Sequence, residues 1–160
     1  MKTLQITLLL LFVSFGSFAQ DYQIDQKRKS LLSNEYVREA KANILLIALD
    51  YKSDTTVFFE KIKDNALQAV KNDTLILFST GGMGLNSREG VGNYDSITLT
   101  HSFLYVDITT DCLTTFNFVR AKGIYNSTIW KELKVRNGEN WKKDIQNKID
   151  SVKSNQSKKE

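Results

Sequence analysis

The first twenty residues constrain the fold most, because they have the features of an export signal and are not expected to join the folded part of the chain. Lys2 gives a positive start, the run from Leu8 to Val13 is apolar, and residues 17–19 (Ser-Phe-Ala) have the small-x-small pattern that signal peptidase cleaves. The apolar run is shorter than the roughly 20 residues that a membrane-spanning helix needs. We therefore predict a signal peptide at 1–19 and a periplasmic or secreted location, with a retained anchor as the alternative.

The remainder of the chain has the length of one ordinary domain. About 140 residues follow the signal, and they contain no proline and no internal repeat that would mark a boundary. Cys112 is the only cysteine, so no intramolecular disulfide can form. We predict a single domain at 20–153 and, because the last residues are polar and charged, a disordered tail at 154–160.

Helical spacing of apolar residues predicts helices near both ends of this domain. The first helix is capped by Ser30 or Ser33, and its apolar face consists of Leu32, Tyr36, Ala40, Ile44 and Ile47. A second helix follows Asp54, with Phe59, Ile62, Ala66 and Val70 on one face. The final helix carries Trp141, Ile145, Ile149 and Val152 on one face. A shorter helix begins at Asn126 or Ser127 and contains Ile129, Trp130 and Leu133.

The middle of the chain has the composition of strands. Residues 74–78 form a short apolar run that predicts a buried strand. Residues 96–125 are rich in Thr, Ile, Val, Phe and Tyr, and the alternation over 103–108 followed by the run 113–119 predicts an antiparallel hairpin with its turn near 109–112.

Together these elements predict an α+β fold. We expect a small, mostly antiparallel sheet of three to four strands with helices packed on one face, and with helices at the N-terminal and C-terminal ends. The other face of such a sheet stays open, and we expect it to serve as a contact surface.

A glycine-rich segment follows the strand predicted at 74–78 and is the first candidate for a ligand site. Backbone N–H groups at glycines can form a concavity for an anion, and serine and arginine side chains add donors to it. The predicted ligand-binding residues are Gly81, Gly82, Gly84, Ser87 and Arg88. The segment matches no nucleotide-binding motif, and a long connector without a ligand is the alternative.

The only histidine, His101, is the candidate for catalysis. It could act as a general base toward Ser79, Ser87 or Ser102, with Asp107 or Asp95 as the orienting carboxylate, although no motif identifies a nucleophile. One histidine and one cysteine give no metal-ligand spacing, so we expect no metal and no cofactor.

The charge of the chain is unevenly distributed. Residues 120–160 contain eleven Lys or Arg against five Asp or Glu, although the acidic residues are interspersed and a solvated helix face explains the same pattern. The basic C-terminal region suggests contact with a membrane surface or another anionic partner. A basic groove with an aromatic stacking platform is not visible in the sequence, so nucleic acid is not favoured as a partner.

Several tripeptides, among them Asp73-Thr74-Leu75 and Asp95-Ser96-Ile97, resemble the acceptor sites for O-glycosylation of exported proteins in Bacteroidetes. This resemblance covers no part of the fold, but it agrees with a bacterial source for an exported protein. We therefore expect a small binding or interaction protein of the bacterial envelope, with no defined catalysis and with an unknown protein or an anionic envelope ligand as its partner. An envelope hydrolase that uses His101 as general base is the alternative.

Overall fold

The computed structural model describes residues 22–49, 55–79, 94–108 and 115–156 of the chain. Six helices account for 78% of these residues. In chain order the elements are α1 (22–33), α2 (Glu35–Leu49), α3 (Thr56–Lys71), β1 (Ile76–Ser79), α4 (Asp95–Leu99), β2 (Leu104–Asp107), α5 (Phe116–Asn137) and α6 (Trp141–Gln156). None of the helices in these ranges is long and apolar enough to cross a membrane.

The first predicted helix is present, but it is divided in two at Asn34. The Asn34 side chain accepts hydrogen bonds through Oδ1 from the backbone N–H groups of Tyr36 and Val37, at 3.1 and 3.4 Å. This is the arrangement of an N-cap, so Asn34, and not Ser30 or Ser33, begins α2. Three of the predicted apolar positions, Ala40, Ile44 and Ile47, are buried along α2.

Helices α2, α3 and α5 pack against one another and form most of the helical core. Each contributes a buried stripe at helical spacing. The stripes are Val37, Ala40, Ile44, Ile47 and Ala48 in α2, Ile62, Asn65, Ala66 and Ala69 in α3, and Phe118, Ala121, Tyr125, Asn126, Ile129 and Leu133 in α5. The predicted second helix is thereby confirmed as α3.

The sheet prediction is wrong. In the described residues the sheet has two strands, and they run parallel, with Ile76 paired to Leu104 and Ser79 paired to Asp107. Parallel strands cannot be joined by a tight turn, and the connection from β1 to β2 passes through α4. Every residue of β1 is buried, and buried and partly exposed residues alternate along β2, so the expected open sheet face is not present in this pair.

The predicted hairpin fails because its second strand is the beginning of α5. The Thr115 hydroxyl accepts a hydrogen bond from the Phe118 N–H at 3.1 Å and caps the helix at a point where composition favours a strand. From Phe118 onward, buried residues recur every three or four positions through Leu133. This long periodic burial outweighs the strand propensity of the individual residues. The short helix predicted after Asn126 is thus the second half of α5.

Helix α5 also completes the hydrogen bonding of β1. The buried Asn126 amide accepts from the Phe78 N–H at 2.9 Å and donates to the Phe78 carbonyl oxygen at 2.7 Å. Because the backbone groups of Leu75 and Ser79 pair with β2, those of Phe78 point away from it. Asn126 therefore takes the place of a neighbouring strand. The adjacent Tyr125 packs its ring on Phe78, with centroids 4.6 Å apart.

Helices α1, α4 and α6 surround the β2 side of this core. The Arg28 guanidinium in α1 pairs with the carboxylate of Asp95, the first residue of α4. Helix α6 contacts α4, and the Trp141 ring packs edge-on against Phe103 with centroids 5.6 Å apart. Burial raises the pKa of Asp95, and the hydrogen bond from Arg28 opposes this shift.

Candidate functional site

A groove of about 380 Å³ lies between the last turns of α5 and the start of α6. It brings together both tryptophans of the chain and three lysines. We call it the Trp–Lys groove, and its lining residues are Ser127, Trp130, Lys131, Lys134, Glu139, Trp141 and Lys142.

The turn between α5 and α6 creates this groove. Helix α5 ends at Gly138, whose φ of 83° is a left-handed conformation that favours glycine, and the Gly138 N–H donates to the Lys134 carbonyl oxygen at 2.9 Å. The chain then reverses over two residues and begins α6 at Trp141. This short reversal sets the first residues of α6 beside the exposed side of α5.

The two indoles have different roles. Trp141 is buried against Phe103, and the next residues on its face, Ile145 and Ile149, are buried as well. This apolar stripe fixes α6 to the core. Trp130, by contrast, projects from α5 and is 40% exposed. One wall of the groove is thus held by the core and the other is an accessible aromatic surface.

Lys142 connects the two indoles. Its Nζ lies 4.0 Å from the centroid of the Trp130 ring and 5.6 Å from that of Trp141. Both distances lie within the range of a cation–π interaction, which holds the ammonium group in place at a modest energy of about 0.5–1 kcal/mol at an exposed site. These contacts therefore favour a position of the ammonium group beside the two rings by a factor of about two to five before any ligand arrives.

The groove as a whole is positive. Lys131, Lys134 and Lys142 line it together with one carboxylate, Glu139. Lys134 Nζ and Glu139 Oε2 are 2.8 Å apart, but both side chains are more than half exposed, and an ion pair of this kind contributes little to stability. An anionic group can compete with Glu139 for Lys134, because the lining carries three ammonium groups and one carboxylate.

Two further polar side chains of the lining, Ser127 and Glu139, bear on the chemistry of the groove. The Ser127 hydroxyl donates to the Ile124 carbonyl oxygen at 2.9 Å and is held by its own helix. Glu139 is the one carboxylate among the lining residues, so the groove contains no pair of carboxyl groups for acid–base chemistry. Within the four described ranges, no group of three His, Cys, Asp or Glu side chains could hold a metal ion.

The carboxyl ends of the two parallel strands form a second polar location. Ser79 and Asp107 are register partners there, and the Ser79 Oγ is buried without a hydrogen-bond partner among the described residues. Burial lowers the pKa of Lys122 on α5, and the charge of Asp107 opposes this shift. Ligands of open α/β sheets often bind outside this edge. The predicted site residues Gly81, Gly82, Gly84, Ser87 and Arg88 follow β1 in sequence and lie outside the described residues, as does Cys112.

The structure places His101 in the turn between α4 and β2. Its Nδ1 is 3.0 Å from Thr100 Oγ1 and 3.2 Å from the Ile97 carbonyl oxygen, so the ring is held by its own turn. His101 precedes the amino end of β2, whereas Ser79 and Asp107 stand at the carboxyl ends. Since β2 itself spans about 10 Å, the fold does not bring His101 together with these two residues.

Sequence reasoning missed the Trp–Lys groove. It placed Trp130 in a short helix together with Ile129 and Leu133 and found no aromatic platform with basic residues. Available signals were the two tryptophans on either side of the Asn137-Gly138 break and the lysines next to each of them. A tight helix–helix turn at this break brings such flanking residues together.

Comparison with protein-family models, with curated proteins and with solved structures found no match in any of the three.

Proposed function

We propose that this protein is a small exported binding protein of the bacterial envelope and that the Trp–Lys groove is its site for an anionic envelope component. One observation carries the proposal: the Lys142 ammonium is held between Trp130 and Trp141 in a groove that two further lysines line. Aromatic faces next to restrained cations provide both apolar contact and charge for one ligand.

The expected export signal supports the envelope as the place of action. A protein that is released into the periplasm meets anionic phosphate and carboxylate groups on lipids and glycans, and its basic C-terminal region is attracted to them at long range. The groove lies within this basic region, since α5 and α6 extend from Phe116 to Gln156.

Sedimentation with envelope fragments tests the proposal. The protein, expressed from its full coding sequence and purified, is mixed with washed envelope fragments of a Gram-negative bacterium. We expect it to sediment with them at about 0.05 M NaCl and to be released at about 1 M, where the Debye length falls to about 3 Å. Tryptophan emission reports on the same event, because both tryptophans of the chain line the groove.

Two matched variants locate the binding. Lys142→Gln should weaken sedimentation about fivefold, which corresponds to about 1 kcal/mol for one cation near an anionic surface. Lys61→Gln is the control, because Lys61 lines a different groove, between α2 and α3, together with Glu39 and Asp64. Equal binding by the two variants would show that the Trp–Lys groove is not the site.

A further inference from the structure

The exposed side of α5 is unusual for a surface helix. The positions opposite the buried stripe recur every three or four residues and are all exposed, and we call them the outer face of α5: Phe116, Val119, Arg120, Gly123, Ser127, Trp130, Lys131 and Lys134. Phe116 is 79% exposed, Val119 48% and Trp130 40%, and Val135 beside this face is 81% exposed. A helix that faces only water carries polar residues on its outer side. Helix α5 instead has exposed aromatic and aliphatic residues among the polar ones on the side opposite its buried stripe, so its outer face is suited to contact with something other than water.

The outer face also carries mostly positive charge. Helix α5 contains five basic residues and one acidic residue, Glu132, whose carboxylate accepts from Arg136 Nε at 2.6 Å. Arg120, Lys131 and Lys134 lie on the outer face, and Lys142 joins them from α6. Two carboxylates border the face: Glu60 lines the same surface depression as Arg120, and Glu139 pairs with Lys134. Cations are therefore in excess along the whole helix.

The spacing of the apolar residues distinguishes a broad partner from a small one. Phe116 and Trp130 are fourteen positions apart on the same side of α5, which corresponds to about 21 Å along the helix axis. A single small anion in the Trp–Lys groove would not touch Phe116 or Val119. A planar surface can contact both ends of this face at once.

The residue types distinguish a bilayer from a protein partner. Arginine and tryptophan are common in both kinds of interface, but protein–protein interfaces are depleted in lysine, whereas lysine beside an apolar stripe is typical of helices that lie in the headgroup region of a membrane. Tryptophan prefers this region because its ring is apolar and its N–H is polar. Anionic lipid headgroups complement the excess of cations.

We infer that the outer face of α5 docks on the surface of a bilayer that contains anionic phospholipid, with Phe116 and Trp130 entering the headgroup region and Arg120, Lys131, Lys134 and Lys142 contacting lipid phosphates. This inference rests on the proposed function and names its envelope component. The helix lies along the membrane plane and does not cross it.

Vesicles of defined composition test the inference. The full-length coding sequence supplies the protein, which is mixed with vesicles of phosphatidylcholine alone or of phosphatidylcholine and phosphatidylglycerol in equal parts. We expect sedimentation with the anionic vesicles only, release by salt, and a blue shift of tryptophan emission on binding. Glycerol 3-phosphate at the same phosphate concentration should produce neither a shift nor competition, which separates a lipid surface from a free phosphate.

Variants separate charge from apolar insertion. Lys131→Glu combined with Lys134→Glu should weaken vesicle binding by more than about 25-fold, since each cation near an anionic surface contributes about fivefold. Lys61→Glu is the charge-reversal control on another face. Phe116→Ala should weaken vesicle binding at every salt concentration at which binding is measurable, because the lost contact is apolar. Leu67→Ala, at a less exposed position on α3 (43% against 79% for Phe116), should leave vesicle binding unchanged. Phe116 is exposed, so its loss should leave the melting temperature unchanged.

Each alternative outcome overturns the inference in a recognisable way. Binding to envelope fragments but not to anionic vesicles would overturn the bilayer as partner and leave the proposed function standing. Binding to neither would overturn both. Loss of envelope binding after protease treatment of the fragments would identify a protein partner. Equal binding by wild type and Phe116→Ala would show that α5 does not lie on the membrane.

Discussion

Replacing Asn126 with alanine should destabilise the fold strongly, although it removes only a small side chain. Its amide forms two hydrogen bonds with the backbone of Phe78, at 2.9 and 2.7 Å, and it is 6% exposed. In Asn126→Ala the N–H and carbonyl groups of Phe78 remain at a buried strand and lose both partners. A buried donor or acceptor without a hydrogen-bond partner lowers the stability by more than a formed hydrogen bond raises it.

The magnitude follows from the number of groups left without a partner. Each buried, unsatisfied backbone group costs about 1–3 kcal/mol, so two groups give a loss of about 2–6 kcal/mol in the free energy of unfolding. A domain of this size has a total stability of about 5–15 kcal/mol. We therefore expect Asn126→Ala to lose a large fraction of its stability or to be partly unfolded at room temperature.

Urea unfolding followed by far-ultraviolet circular dichroism measures this loss. Ser127→Ala is the matched control, because Ser127 is the next residue, is exposed, and donates to the Ile124 carbonyl oxygen of its own helix. The control should lose less than about 0.5 kcal/mol. A loss below about 1 kcal/mol for Asn126→Ala would refute the reasoning that this side chain acts as a substitute strand for β1.

The variant Asn126→Asp tests the same bridge through pH. A protonated carboxyl group has one donor and one acceptor, as the amide has, whereas a carboxylate has acceptors only and would face the Phe78 carbonyl oxygen. Burial raises the pKa of such a carboxyl group in the folded state. Its contribution to stability is therefore present in acid and is lost as the pH rises through the raised pKa. Relative to the wild type, the variant should be less destabilised at pH 4 than at pH 7, and a constant difference would contradict the bridge.

Two other positions give independent checks. Burial raises the pKa of Asp95, so its contribution to stability is present below the ordinary aspartate pKa and is lost as the pH rises through the folded-state value. The melting temperature of the wild type minus that of Asp95→Asn should therefore increase on acidification from pH 7 to pH 4. A decrease would mean that the attraction to Arg28 dominates. Thr115→Ala should lower the free energy of unfolding in urea by about 1 kcal/mol through loss of the α5 cap, whereas Thr115→Asp should keep most of this stability. Equal losses in the two variants would show that the cap bond to Phe118 is not the cause.

The helices could be predicted wherever their apolar period was long and uniform. Ala40, Ile44 and Ile47 in α2 and Ile62 and Ala66 in α3 lie on the buried faces that the spacing indicated. The strand β1 was recognisable as an apolar run too short for a helix. In these elements the spacing of apolar residues along the sequence agrees with the burial in the folded protein. Where the two agree, the secondary structure of a segment can be predicted from its sequence.

The hairpin was predicted wrongly because the β-branched and aromatic residues of this region, which are common in strands, also occur on the buried face of a helix. Phe118, Tyr125 and Ile129 favour strands in isolation, yet they are buried at helical spacing in α5. A parallel pair with a crossover is also a long-range arrangement that alternation along one segment does not reveal. The Trp–Lys groove depends on the α5–α6 turn, so its residues could be listed from the sequence but not placed together.

The two sides of α5 make the separation of stability from binding testable. Its inner side carries Tyr125 and Asn126 against Phe78, so changes there act on the fold. Its outer face carries Phe116, which is 79% exposed, so the loss of this side chain removes little contact with the protein's own core. Substitutions on the inner side should therefore lower the free energy of unfolding strongly and reduce vesicle binding only through the smaller folded fraction. Substitutions on the outer face, about half a helical turn away, should leave unfolding unchanged and weaken vesicle binding. A variant of the outer face that lost both together would show that α5 transmits its packing to the groove, because the Lys142 contact with Trp130 would then depend on the position of the whole helix.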